Sequence, residues 1–180
     1  MTRHPGSNPP PFETKVVGTM ENFLFLEQSY CYPRGGGQPG DTGSIISDGE
    51  HVTALNEVLP GEMILHPVDD PEAFSIGQDI TCEIDTERRN GHTLMHTSQH
   101  IFSALAEDIW GDETVGNKIG AEQSRVALLF EKTELFDPDV LLNAVNSVLS
   151  SIINVNVHEW ERSTLFVHQQ LIHTKLFPRI

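Results

Sequence analysis

The sequence predicts an α+β protein, a strand-rich half followed by a half in which helices and short strands mix. Three observations predict it. Up to Asp85 the apolar residues come as short β-branched and aromatic runs broken by turn residues. Beyond Asp85 they recur at helical spacing. The composition, 38% hydrophobic and 21% charged over 180 residues, is that of a chain able to bury a core.

Residues 1–13 hold four of the eleven prolines and little to bury, so residues 1–14 are expected to form a disordered arm outside the fold. Strands are expected around Val16-Val17, Phe23 to Leu26, Ile45-Ile46, Val52 to Leu55, Met63 to Leu65 and Ile80 to Ile84. Gly35 to Gly43 is too rich in glycine for a regular element and reads as a shaped loop. Leu94, Ile101, Leu105 and Ile109 predict a helix over about 92–109 with that stripe toward the core. Val126 to Phe130 reads as a strand. Asp137 as N-cap and Pro138 at the first helical position open a second helix over 138–153, buried through Leu141, Leu142, Val145, Val148, Leu149, Ile152 and Ile153. Val155 to Trp160 reads as a last strand. The expected organisation is thus an arm (1–14), a glycine-rich β domain (15–88) and an α+β unit (89–180).

Eleven Lys and Arg against twenty-six Asp and Glu give a formal charge of -15, which argues against a broad grip on nucleic acid or an anionic membrane. Any RNA contact is expected to be local, and DNA is not an expected partner. No stretch approaches the roughly 18 apolar residues of a membrane span, and the start lacks the apolar segment of a signal peptide. The only cysteines, Cys31 and Cys82, form neither a disulfide framework nor a CxxC knuckle, which suits a reducing cytoplasm.

His92, His96 and His100 are spaced by four, so they fall on one helix face within about 40° of their neighbours. Two imidazoles at i and i+4 can converge on a divalent metal, but zinc takes at least three protein ligands, and a solvated face carrying histidine is the plainer reading. The glycine loop matches no nucleotide-binding pattern. It is either a steric solution between strands or an array of backbone N–H groups facing an oxygen.

Two separated motifs bring these features together. Ser29-Tyr30-Cys31-Tyr32-Pro33-Arg34-Gly35-Gly36-Gly37-Gln38-Pro39-Gly40-Asp41-Thr42-Gly43 is followed by Ile84-Asp85-Thr86-Glu87-Arg88-Arg89 and Met95-His96-Thr97-Ser98-Gln99-His100-Ile101-Phe102-Ser103-Ala104-Leu105. With Ile64-Leu65-His66 and Val115-Gly116 in order, the pattern over about residues 15–160 resembles the alanyl-tRNA editing domain and its freestanding relatives. The resemblance implies a barrel-like glycine-rich β domain and a two-layer α+β editing core. It implies a zinc-dependent deacylase that hydrolyses the ester of serine or glycine wrongly joined to alanine tRNA, acting in trans on the tRNA acceptor end. It places His96 and His100 as zinc ligands, Gly36, Gly37 and Gln38 beside the substrate, and Ser29 where a threonine commonly faces the amino acid. His92 lies outside the motif.

Two departures qualify that implication. The family closes its metal site with a C-terminal CxxxH pair, and none follows Trp160, so the editing core is expected to be truncated and its Zn2+ site short of ligands. Cys31, His168 and His173 are the candidates to supplement it. Ala127 stands where relatives often carry an aspartate. The alternative reading is therefore a non-catalytic relative that binds a tRNA end or acts as a scaffold. Arg34, Arg88, Arg89, Lys118 and Arg125 are the cations nearest the motifs.

Overall fold

The computed structural model describes residues 8–111, 113–130 and 136–151. Its elements are β1 (Phe12–Met20), β2 (Phe23–Leu26), β3 (Gly43–Ser47), β4 (His51–Leu55), β5 (His66–Pro67), β6 (Asp79–Ile84), α1 (Thr86–Trp110), β7 (Glu113–Lys118), β8 (Arg125–Leu129) and α2 (Pro138–Leu149). The mixture is α+β, a curled antiparallel sheet with two helices and a separate pair of strands, β7 and β8.

The six-stranded sheet runs β4-β3-β6-β1-β2-β5. β1 is its hinge: Phe12 to Lys15 pair with Cys82 to Asp79 of β6, then Val16 to Met20 pair with Leu26 to Phe23 of β2, with the register shifting between Val16 and Gly18. Such a bulge bends its strand and deepens the twist. The two end strands meet through a bridge between Leu55 and Val68 and a bond from Asn56 N–H to Pro67 O (2.9 Å), so the sheet curls onto itself. Strand periodicity places Phe12, Thr14 and Val16 inward, and the interior is completed by Leu24, Ile45, Leu55, Val58, Val68, Ile80, Cys31 and Cys82.

Three expectations need correction. The proline-rich arm ends earlier than expected: β1 starts at Phe12, and Phe12 and Thr14 are buried, because these residues hydrogen-bond to β6 and alternate inward like any strand. The helix expected from His92 begins at Thr86, where Asp85 Oδ1 accepts the Arg88 N–H (3.0 Å), an N-cap that satisfies an orphan donor of the first turn. Its buried side is not the leucine stripe: Leu94 is 69% exposed, whereas Arg89, His92, Gln99 and Ala106 are buried.

The described residues fall in two compact units, one holding the residues up to Thr97 with Gly116–Val126, the other Ser98–Val115 with those from Ala127 onward. In the second unit the rings of Trp110, Phe130 and Phe136 pack with centroids 5.2–5.5 Å apart. Asp137 caps α2 as expected, accepting the Asp139 N–H (3.0 Å) with Pro138 following it. Leu141 is buried, but Leu142 and Leu149 are exposed, since at 100° per residue they lie about a quarter-turn off the Leu141 side. The expected helical turn through Ile153 and the strand over Val155 to Trp160 lie outside the described residues.

Candidate functional site

The centre of the glycine motif is a two-residue turn. Gly35 N–H donates to Gln38 O (3.0 Å) and Gln38 N–H donates to Gly35 O (2.9 Å), with Gly36 and Gly37 between them at φ +57° and +80°. Two successive left-handed residues closing a reciprocal pair is the type I′ arrangement, which residues with a Cβ adopt at a cost. The turn is held from outside: Tyr32 Oη donates to Gly35 O (3.0 Å), and Ile119 N–H donates to Gly37 O (2.8 Å). Gly37 also faces Asn117, whose Oδ1 would stand 1.8 Å from a Cβ at residue 37. Because Gly35 and Gln38 spend their amides within the turn, Gly36 and Gly37 carry its remaining donors.

This turn lies against α1 at His96. A Cβ at residue 36 would stand 3.5 Å from His96 Cε1 and 3.9 Å from Nε2. Gln38, only 4% exposed, places Oε1 2.8 Å from His96 Nδ1. An amide oxygen only accepts, so Nδ1 carries the hydrogen and the lone pair of the neutral ring sits on Nε2. Of the residues singled out from sequence, Gly36, Gly37, Gln38 and His96 are therefore brought together.

The frame beneath the turn is a buried ion pair that sequence reasoning did not find. Arg89 Nε donates to Asp41 Oδ1 (2.8 Å), Arg89 Nη2 donates to Asp41 Oδ2, and Nη2 also reaches Tyr30 O (3.1 Å). Asp41 Oδ2 accepts in addition from Tyr32 N–H (2.6 Å), and the guanidinium carbon stands 6.0 Å from the centre of the Tyr32 ring. Arg89 is thus corrected from a cation near the motifs to a buried strut, and exposed Arg34 is held by Glu57. Nothing in the residue types separated by 48 positions announced the Arg89–Asp41 pair.

Ser29 forms a second cluster. Its hydroxyl lies 2.8 Å from His66 Nε2 and accepts the Cys31 N–H (3.2 Å), while His66 Nδ1 donates to Leu24 O (3.2 Å). In that neutral tautomer the serine hydroxyl donates to Nε2. Ser29 is 5% exposed and His66 1%. Cys31 lies with its Sγ 3.8 Å from Cys82 Sγ, and the hydrogen bond from Cys82 with His66 nearby brings its pKa down to about 6 despite burial. The hydrogen bond with Cys31, then burial and the Cys31 charge, push Cys82 upward.

The remaining histidines differ from one another. His92 is 2% exposed, and burial, then the nearby Arg88 charge, lowers its pKa, so it is a neutral core residue. His100, one turn beyond His96 on α1, is exposed, yet the protein atoms about its ring still hold its pKa below the ordinary value. Neutral imidazoles suit a divalent metal in general. The fit is partial: among the described residues no group of three His, Cys, Asp or Glu side chains could hold a metal ion. Cys31 is confined to the sheet interior, and His168 and His173 lie outside the described residues. Ala127 is exposed on β8.

Comparison with known proteins bears on the same stretch of chain. The family model of class II tRNA synthetases (A) matches residues 9–88. The chain is 35% identical to an alanine–tRNA ligase of Pyrococcus furiosus over 123 residues, 67% of this chain and 14% of that ligase. It is 32% identical to an alanine–tRNA ligase of Saccharolobus islandicus over 158 residues, 84% of this chain and 17% of the ligase. The sheet with its glycine turn is thus an alanyl-tRNA synthetase-related domain. The chain spans only about one sixth of these relatives' length or less. Among the described residues no helix is long and apolar enough to cross a membrane.

Proposed function

We propose that the chain deacylates tRNA(Ala) mischarged with serine or glycine, acting in trans on the acceptor end. The observation that carries this reading is the seating of the Gly35–Gln38 turn against His96, which joins in one place the two motifs that resemble the alanyl-tRNA editing domain. The similarity to alanine–tRNA ligases supports the same RNA.

The chemistry required is modest. Water adds to the ester carbonyl, the bond from that carbon to the ribose oxygen breaks, and the oxygen leaves with a proton as the tRNA hydroxyl. The amides of Gly36 and Gly37 would donate to the oxygen as its charge grows, and the buried frame under the turn would keep them from reorganising. His96 and His100 are the residues that would contribute to holding a zinc ion, and such an ion would polarise a carbonyl or acidify bound water. With a net charge of -15, affinity for tRNA depends on few contacts and falls with salt.

The test is deacylation of Ser-tRNA(Ala), Gly-tRNA(Ala) and Ala-tRNA(Ala) by the full chain and by His96→Ala. Selective loss of the mischarged esters is expected, with His96→Ala slower by at least about tenfold. Rates equal to buffer alone for all three would overturn the reading, and retained binding of the tRNA end would then identify a non-catalytic module.

A further inference from the structure

We propose that Cys31 and Cys82 form an oxidisable dithiol, closed to an internal disulfide by peroxide, and that closure loosens the glycine turn. The pair acts without tRNA and without the histidines of α1, so it goes beyond the deacylation reading. Three observations carry it. The two sulfurs lie 3.8 Å apart across 51 positions of sequence. Cys82 is fixed in the middle of the sheet, with Phe12 of β1 paired to it on one side and Ile45 of β3 on the other. Cys31 lies outside the strands, between β2 and the glycine turn, where its N–H donates to Ser29 Oγ (3.2 Å). A disulfide holds its sulfurs about 2.05 Å apart, so closure shortens the present separation by roughly 1.8 Å. With Cys82 locked between two strands, Cys31 makes most of that movement. The next residue transmits it: Tyr32 N–H donates to Asp41 Oδ2 (2.6 Å) and Tyr32 Oη donates to Gly35 O (3.0 Å). A shift at Cys31 therefore draws on a bond that holds the turn from outside.

The two sulfurs take different parts. The hydrogen bond from Cys82, with His66 close by, brings Cys31 down to about 6, while Cys82 is raised, so Cys31 is the sulfur that attacks. Its thiolate displaces one oxygen of hydrogen peroxide: an S–O bond forms, the O–O bond breaks, and the departing hydroxide becomes water with the proton that Cys31 gave up. Cys82 then attacks the sulfenic sulfur of Cys31. The S–S bond forms, the S–O bond breaks, and the hydroxyl leaves as a second water with the Cys82 proton. The thiols lose two electrons and peroxide gains them. Both side chains are 0% exposed, and peroxide suits such a pair because it is small and uncharged.

The experiment exposes the full, folded chain, reduced and then freed of reductant, to hydrogen peroxide at neutral pH. Alkylation in denaturant, intact mass and peptide mapping follow. The expected product takes up no alkyl group, is lighter than the reduced chain by two hydrogens, and yields a cross-linked peptide holding Cys31 and Cys82. Dithiothreitol restores both thiols. Cys82→Ser leaves the sulfenic acid uncaptured, so dimedone labels Cys31 in that variant, and no label there overturns Cys31 as the attacking sulfur. Should Cys82→Ser fail to fold, the parent's cross-linked peptide decides alone. Two alkylated thiols, after an exposure that oxidises free cysteine completely, overturn the proposal. So do sulfinic acids without a cross-link, or cross-links between chains. Amide exchange at Gly35 and Gln38 reads the coupling: it is faster in the oxidised chain, and identical protection in the two forms overturns the link to the turn. A chain that closes its disulfide but deacylates nothing when reduced would sink the proposed activity and leave this pair standing. Active deacylation by a chain that keeps both thiols under peroxide would do the reverse.

Discussion

Asp41→Asn should cost far more stability than its exposed counterparts, because it removes the carboxylate charge that meets the Arg89 fork at a buried position. Both side chains are nearly inaccessible, at 4% for Arg89 and 1% for Asp41. Asp41 accepts from Arg89 through both oxygens and from Tyr32 N–H, so the carboxylate joins the first turns of α1 to the approach of the glycine turn. Removing one partner of a buried pair strands the other, at about 3–5 kcal/mol. With a urea m-value of ~2 kcal/mol/M, this lowers the midpoint by on the order of 2 M. Arg89→Met should cost a similar amount, but the double variant should be less destabilised than the sum of the two, by about 1–3 kcal/mol, since neither group is then left uncompensated. Urea unfolding of the four proteins gives the cycle, and amide exchange at Gly35 and Gln38 reports whether the turn loosens with it. A single-variant cost under about 0.5 kcal/mol, or strict additivity, would refute the argument that this pair braces the turn. By contrast, the exposed Lys15–Asp79 pair is expected to contribute no more than about 1 kcal/mol.

Four further outcomes rest on particular positions. Gly40→Ala should lower the thermal midpoint severely, by more than about 3 kcal/mol in stability, because its Cβ would stand 2.0 Å from the Val58 carbonyl oxygen that Arg34 N–H already uses. Gly49→Ala, at φ +75° with nothing within 4 Å, should cost only about 1–2 kcal/mol. His92 has a folded pKa below its ordinary 6.5, so the folded state binds fewer protons than the unfolded one and stability must fall as pH drops from about 6.5 through the folded value. His92→Gln should flatten that part of the urea-midpoint profile, and an unchanged slope would count against the assignment. Cys82→Ala removes the hydrogen bond that helps bring Cys31 down to about 6, so the ultraviolet thiolate signal should shift to higher pH in that variant. A titration midpoint that stays put would show that His66 and Ser29 suffice.

How far the fold was legible depended on which face of each element is apolar. The strands around Phe23–Leu26, Ile45 and Ile80–Ile84 declared themselves because short runs rich in β-branched and aromatic residues form them, with alternate residues, Leu24 and Leu26, Ile45, and Ile80, Cys82 and Ile84, turned inward. Asp137-Pro138 declared α2, since cap chemistry is local. The start of α1 was hidden because its first turns, Thr86 to Gly91, offer no apolar residue; yet Asp85 as N-cap and Glu87 in the first turn were available signals. The core-facing side of α1 was misread for a deeper reason. Hydrophobic periodicity assumes that a helix buries its apolar stripe, and α1 buries Arg89, His92 and Gln99 while showing Leu94 to solvent.

That inversion is informative about the site. Burying a guanidinium, an imidazole and an amide is costly unless each finds partners, and a periodic apolar stripe would have covered the same ground at less risk. Arg89 is satisfied by Asp41 and the Tyr30 carbonyl, and Gln99 donates to Ser103 Oγ at 2.8 Å. The Arg89 and Gln38 contacts fall on the motif that begins at Ser29 and ends at Gly43, so the cost of a polar helix face is offset where the glycine turn must be held still. The sequence pattern that looks least like a core is therefore what fixes His96 beside Gly36 and Gln38. A hydrophobic replacement at Arg89 or Gln38 can preserve the sheet while losing the geometry that the proposed chemistry needs.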